Sequence, residues 1–289
     1  MATDENNTRK PDEPKKTPLQ VMSPPDEEKR MPARAFLKTR YRAIPGKADE
    51  GGHFQGGAPQ HRGALCPSCS IPFLLLWDIN ARDPRFPRRK FGAIERVPLY
   101  FCWGCVSDLA YRIIDSSKIV TISAQKHAGP TFQYEPYPST FPRQPLALTS
   151  AVPAEVRRIL SRWDKDDSFG EGLSEAATTA LASFFGHPAQ WQLDLFHHQF
   201  GGPPLQRSWC EETFECPNPE CRPSLLGRLA GGKRRKMSFL AGVVNDPLHG
   251  LPMVEPAAEV TERQWNFYVS VQFHICAACW TILACNRSD

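Results

Sequence analysis

"WNFYVSVQFHICAACW", residues 265–280, alternates apolar with mostly polar side chains for twelve positions and then stops on two cysteines set three apart. Alternation with a period of two is the signature of a strand with one face on a core, here Trp265, Phe267, Val269, Val271, Phe273 and Ile275. A C-x-x-C turn at the end of such a strand points two thiols into one space. That pair could be a redox couple, half of a disulfide or half of a metal site, and the choice depends on what the rest of the chain supplies.

Working outward, "CPNPEC" (Cys216, Cys221) lies upstream, followed by the basic loop "GGKRRK" and a strand-like run "MSFLAGVVND". The same plan occurs earlier in the chain. "CPSC" (Cys66, Cys69) precedes "IPFLLLWDIN", a basic loop "RDPRFPRRKFG" follows, and "VPLYF" runs into "CWGC" (Cys102, Cys105). "GGAPQ" at 56–60 and "GGPPLQ" at 201–206 stand before the first pair of each copy. These features in one order, twice, indicate an internal repeat too long for a small-repeat solenoid. Each copy carries two cysteine pairs, so four thiolates can close a tetrahedron without borrowing. We expect zinc at Cys66, Cys69, Cys102 and Cys105, and again at Cys216, Cys221, Cys276 and Cys279. A complete shell of four thiolates leaves no position for water, so both sites should be structural and no catalytic residue is assigned. Cys210 and Cys285 are left over and read as core fillers.

"VPLYFCWGCVSDLAYRII" also has the strand, C-x-x-C, helix order of a thioredoxin-type motif. A redox domain needs one pair, however, and this chain has four in a repeated plan. Disulfides are disfavoured because the opening residues are charged and proline-rich, with no apolar core of a secretory signal. No apolar run is long enough to span a bilayer. The expected compartment is therefore the cytoplasm.

The 289 residues include 28 prolines and ten cysteines and carry a net charge of +4, too little to name nucleic acid as the partner. There is no Ser/His/Asp grouping, phosphate-cradling loop or H-E-x-x-H, and the expectation is that the protein is not an enzyme. His274, on the polar face of the alternating strand, reads as a half-exposed histidine beside a metal knuckle. Two basic loops suggest an alternative. Arg85, Arg88, Arg89 and Lys90 lie between the cysteine pairs of the first copy, and Lys233, Arg234, Arg235 and Lys236 between those of the second. Clustered Lys and Arg on a zinc ribbon can neutralise phosphates, and charged loops also simply face water.

Four segments follow. Residues 1–50 read as a disordered tail with a basic connector over 31–47, and 51–125 as a first zinc-bearing β module. Residues 126–194 read as a helical connector, from "VPAEVRRILSRWDKD" and from "GLSEAATTALASFFGH" with Ser174 as N-cap. Residues 195–289 read as a second zinc-bearing β module. The fold class is α+β, mainly β: two duplicated modules, each with a zinc-ribbon-like knuckle, joined by helices.

The order GG-x-P, C-x-x-C, apolar strand and alternating strand ending in C-x-x-C, present twice, resembles the YwqG-like bacterial proteins and the related eukaryotic programmed cell death protein 2 family. Gly56, Gly57 and Pro59 match the first GG-x-P, Gly201, Gly202 and Pro204 the second, and the eight paired cysteines match the family's zinc knuckles. His61 and Gln206 stand near the place of the aromatic residue usual after GG-x-P, and "LLLWDIN" replaces the usual "LLQI". The resemblance implies a non-enzymatic role, since the eukaryotic relatives are chaperones that hold a newly made ribosomal protein. The expected function is a zinc-stabilised protein-binding module, chaperone-like towards a protein client; the alternative is a zinc-ribbon nucleic-acid binder.

Overall fold

The computed structural model describes residues 34–102, 106–126, 139–150, 154, 156, 158, 174–177, 179–180, 198–204, 214–221, 234–244 and 269–288. Its strands are β1 (Arg40–Pro45), β2 (His53–Gln55), β3 (Leu74–Asn80), β4 (Arg96–Phe101), β5 (Val106–Asp115), β6 (Lys118–Lys126), β7 (Gln144–Thr149), β8 (Gln199–Gly201), β9 (Ser238–Val244), β10 (Val269–Cys276) and β11 (Thr281–Ser288). A short helix, α1 (Arg88–Phe91), joins β3 to β4. All eleven strands belong to one antiparallel sheet in the order β4-β3-β2-β7-β1-β8-β9-β10-β11-β5-β6.

This overturns two separate modules on a helical connector. The two copies do form comparable units, β2-β3-β4 and β8-β9-β10, each opening on a GG pair. They are interlocked by exchanged strands. β1, which precedes the first copy, pairs with β8 of the second, and β7, which precedes the second, pairs with β2 of the first. β1 and β7 then pair with each other, Ile44 opposite Ala147. On the far side β11 and β5 pair so that Leu283 faces Ala110 and Ala284 faces Leu109, the same Leu-Ala dipeptide from both copies.

The exchange also corrects the connector assignments. The stretch read as a basic connector supplies β1, whose Arg40 and Arg42 alternate with buried Tyr41 and Ala43, while Phe36 and Leu37 enter the core. The span read as helical supplies β7, paired on both sides. Of its predicted helices, residues 154, 156 and 158 are helical with Val156 buried, and Ser174 does cap its turn, Oγ accepting from Ala177 N at 3.2 Å. Most of both predicted helices, together with Trp265 and Phe267, lies outside the described residues. No helix among those described is long and apolar enough to cross a membrane.

Close crossings explain the GG pairs. Gly56 has φ +67°, and a Cβ there would stand 2.2 Å from Pro142 O; at Gly201, φ +67° as well, it would stand 2.6 Å from Thr39 O. The segments entering β7 and β1 pass directly over these glycines, and no L side chain fits. The core beneath is aromatic, with Trp77, Phe73, Phe101, Phe200 and Phe273 fully buried. At the β4 edge, Tyr111 from β5 donates its hydroxyl to Pro98 O at 2.7 Å and accepts from Tyr100 N at 2.9 Å. One phenol thereby satisfies the backbone of an edge strand that would otherwise lack partners and curls the two ends of the sheet together.

Candidate metal centre

Site two is assembled where a loop meets a hairpin. Cys216 and Cys221 lie on the turn before β9, Cys276 ends β10, and Cys279 sits in the β10–β11 turn. All four Sγ atoms lie within 4.8 Å of one another, with Cys216–Cys279 and Cys221–Cys276 both at 3.6 Å. Four thiolates about 2.3 Å from a tetrahedral zinc stand about 3.8 Å apart, so these separations fit a metal cage. They are too long for a disulfide.

Local backbone bonds fix the ligands. Cys216 N donates to Arg235 O at 2.8 Å, and Cys221 N donates to Asn218 O at 3.0 Å. Asn218 Oδ1 accepts from Glu220 N at 3.0 Å, a turn that supports the loose C-x4-C spacing. In the hairpin, Trp280 N donates to Cys276 O at 2.9 Å, and Trp280 takes φ +61°. Glu220 also pairs with Arg112 of β5 at 3.0 Å, tying the loop to the neighbouring strand. Beneath the cage lie Ala110, Leu283, Met237 and Cys285. Cys285 is fully buried there, in the core, as expected of it.

Site one brings Cys66, Cys69 and Cys102 within the same 4.8 Å limit, with Cys69 and Cys102 at 3.7 Å. Cys66 N donates to Ile71 O at 2.9 Å and Ser70 N to Cys66 O at 2.8 Å, and Ser70 takes φ +58°. In both sites the residue after the second cysteine of a C-x-x-C is therefore left-handed. The expected fourth ligand, Cys105, lies outside the described residues, as do Cys210 and Lys233.

The four sulfurs of the second cage act strongly on one another. Shared hydrogen bonds with Cys216 and Cys276 hold Cys279 far below an ordinary thiol, while bonds to Cys276 and Cys279 push Cys216 far above one. Burial, then the same neighbours, pushes Cys221 up to about 12. Four close sulfurs cannot all ionise together, and a dication removes that conflict. The cysteine groups of both sites can thus hold metal ions. A thioredoxin-type reading does not survive, because the segment after Cys105 is strand β5 and not a helix.

No family model matches this chain, and no curated protein or solved structure does.

The basic loops fare unequally. Arg85, although partly exposed, has its guanidinium engaged by other groups of the chain. Its Nε donates to both oxygens of Asp83 at 2.9 and 3.0 Å, its guanidinium also reaches Asp49 at 2.7 Å, and it donates to Leu148 O. Asp83 accepts in turn from His53 Nε2 at 2.7 Å, while Asn80 N donates to His53 Nδ1 at 3.1 Å, which fixes the neutral tautomer. Burial lowers the His53 pKa. Burial pulls Asp83 upward, but the bonds from Arg85 and His53 outweigh it and hold the carboxyl below its usual range. Arg88 and Arg89 of α1 are exposed, and Lys90 Nζ lies 5.4 Å over the Phe36 ring. Arg234, Arg235 and Lys236 are exposed before β9. His274, expected half-exposed, is buried between Phe214 and Phe239. The charge network was missed because Asp83 and Arg85 sit inside a proline-rich basic run; the Asp-Pro-Arg turn was the available signal.

Proposed function

We propose that the protein is a non-enzymatic, zinc-stabilised binding module that holds an extended segment of another protein, in a chaperone-like manner and in a reducing, cytoplasmic compartment. Zinc occupies both cysteine sites. It is structural: four thiolates at the second site, and three joined by Cys105 at the first, would leave no place for a reacting water.

The observation that carries the protein-binding reading is the β6 end of the sheet. β6 is the terminal strand, and a bridge lies on its outer edge at its start, where Arg62 N donates to Ser117 O at 2.8 Å and Ile119 N to Arg62 O at 3.0 Å. Past Arg62 no further strand pairs with it among the described residues. The exposed large apolar side chains of the described residues, Leu65, Ile71, Ile114 and Val120, all belong to the two elements that meet there, the first knuckle and the β5–β6 hairpin. An added strand gains affinity from backbone pairing and specificity from alternate side-chain contacts. The edge lysines Lys118 and Lys126 discourage indiscriminate pairing. The likeness of the GG-x-P and cysteine order to the YwqG-like and programmed cell death protein 2 families supports the same reading.

The test places a photo-crosslinking benzoylphenylalanine at Val120 in the tagged full-length chain, in its own host, with and without nuclease. One stoichiometric protein adduct that survives nuclease and disappears in a Thr121→Pro background supports the reading. Adducts to nucleic acid, or a protein adduct indifferent to Thr121→Pro, overturn it.

A further inference from the structure

Cys279 is the one ligand of the second cage that is not buried. Of the four ligands it is therefore the one with the most open surroundings for a chelator, an oxidant or an alkylating agent to approach. That sulfur also has a partner that is not a cysteine. Thr281, the first residue of β11 and fully buried, places Oγ1 3.1 Å from Cys279 Sγ. A metal-bound thiolate carries no proton, so the hydroxyl is the donor, and the bond is charge-assisted.

The placement follows from the hairpin. Thr281 pairs with Cys276 across β10–β11, and the turn between them is closed by Trp280 N and Cys279 N on Cys276 O. With the backbone held at both ends, setting the hydroxyl under the sulfur costs only the freedom of one stiff χ1 torsion. The same spacing occurs in the sequence of the first copy, where Ser107 follows Cys105 by two positions as Thr281 follows Cys279.

A donor on a thiolate draws charge from the lone pairs that would attack an electrophile, while leaving the sulfur on its metal. We propose that Thr281 is a positioning residue of the second cage: its hydroxyl restrains the thiolate of the partly exposed Cys279 and sets how fast that sulfur reacts and the cage opens. This rests on the metal reading above, and the experiment separates the two.

Full-length protein, Thr281→Val and Thr281→Ser are purified as isolated, and bound metal is measured by plasma mass spectrometry. Each is then treated with iodoacetamide, whose iodide leaves as the cysteine sulfur bonds to carbon, and Cys279 modification is followed by peptide mass spectrometry. Cys69, the partly exposed ligand of the other site, serves as the internal reference. Metal-loaded Thr281→Val should react at Cys279 about tenfold faster than the parent, the scale of second-layer effects on metal ligands. Thr281→Ser should return to within about twofold of it, since the serine keeps the donor, and Cys69 should not change. Equal rates in parent and Thr281→Val, or a serine variant as fast as the valine, overturn the role of Thr281 while leaving the metal intact. A parent protein isolated without metal overturns the metal reading and this inference with it.

Discussion

Replacing Arg85 with alanine should destabilise the fold by about 3 kcal/mol, the lower end of the range for stripping one partner from a buried charge pair. The Asp83 side chain has no exposed surface, and the guanidinium supplies its compensating charge. In Arg85→Ala the carboxylate keeps the backbone N–H at residue 85 and the His53 donor, so two of its contacts survive. What it loses is the ion; Asp49 loses its ion pair while keeping the N–H groups of Gly51 and Leu148, and Leu148 O loses the guanidinium donor. The Arg85 side chain is 33% exposed, so water screens part of the pair, which is why the lower end applies. Urea unfolding of the zinc-loaded chain should show the midpoint falling by roughly 1 M or more. Arg88→Ala, on exposed α1, should stay within about 0.5 kcal/mol of the parent. Arg85→Lys should fall between, because an ammonium restores charge but not the fork. An Arg85→Ala protein as stable as Arg88→Ala would refute the buried-network argument and return Arg85 to the surface charges available to phosphate.

Acid should weaken the same network in two stages: His53 is depressed below its ordinary value by burial, so its contribution is present above about pH 6.5 and lost as pH falls, and Asp83 and Asp49, depressed by the bonds they accept, those from Arg85 among them, follow below about pH 4; unfolding midpoints across pH, with the His53 stage kept and the carboxylate stage diminished in Arg85→Ala, would check this. Cys276→Ser should lower bound metal by one equivalent and destabilise the chain, read by metal analysis and thermal melting; full metal content would sink the second cage. Tyr111→Phe should cost about 1–3 kcal/mol, because Pro98 O and Tyr100 N lose their shared partner, and amide exchange at Tyr100 should speed up selectively. Ser70→Gly should stabilise by about 1 kcal/mol, since exposed Ser70 holds φ +58° at a steric cost glycine does not bear; an unchanged melting temperature would argue against that strain.

Strands β3, β4, β9 and the described part of β10 were legible because each is an apolar run with clear boundaries, and sequence-local pattern suffices for such runs. The second cysteine quartet was legible for a similar reason, as thiol chemistry fixes the spacing within each pair. β5 was not. "VSDLAYRII" after a C-x-x-C suits a helix equally well, and what decides for a strand is pairing on both sides, with β6 in a hairpin and with β11 some 170 residues away. β1 was hidden by its charge: Arg40 and Arg42 suggest a solvated arm, although Tyr41 and Ala43 between them carry the period of a half-buried strand. The single sheet could not be read from the repeat, because duplication specifies what the copies contain and not which copy each strand joins. Thr281 escaped notice since a hydroxyl gains meaning only once the hairpin sets it beneath a sulfur.

The exchanged strands also dictate when this protein can fold during synthesis. β1 leaves the ribosome early, but its partners are β7 and β8, and Arg40 must wait for Gly201. β5 can pair with β6 at once, but its other neighbour, β11, is made some 170 residues later. The first cysteine-bearing copy therefore cannot complete its sheet on its own, and contacts of such wide separation make for slow acquisition of structure. Until β11 emerges, the nascent chain carries paired thiols and unpaired strand edges together. The chain would therefore depend on protection, or on early capture of metal at Cys66, Cys69 and Cys102, during its synthesis.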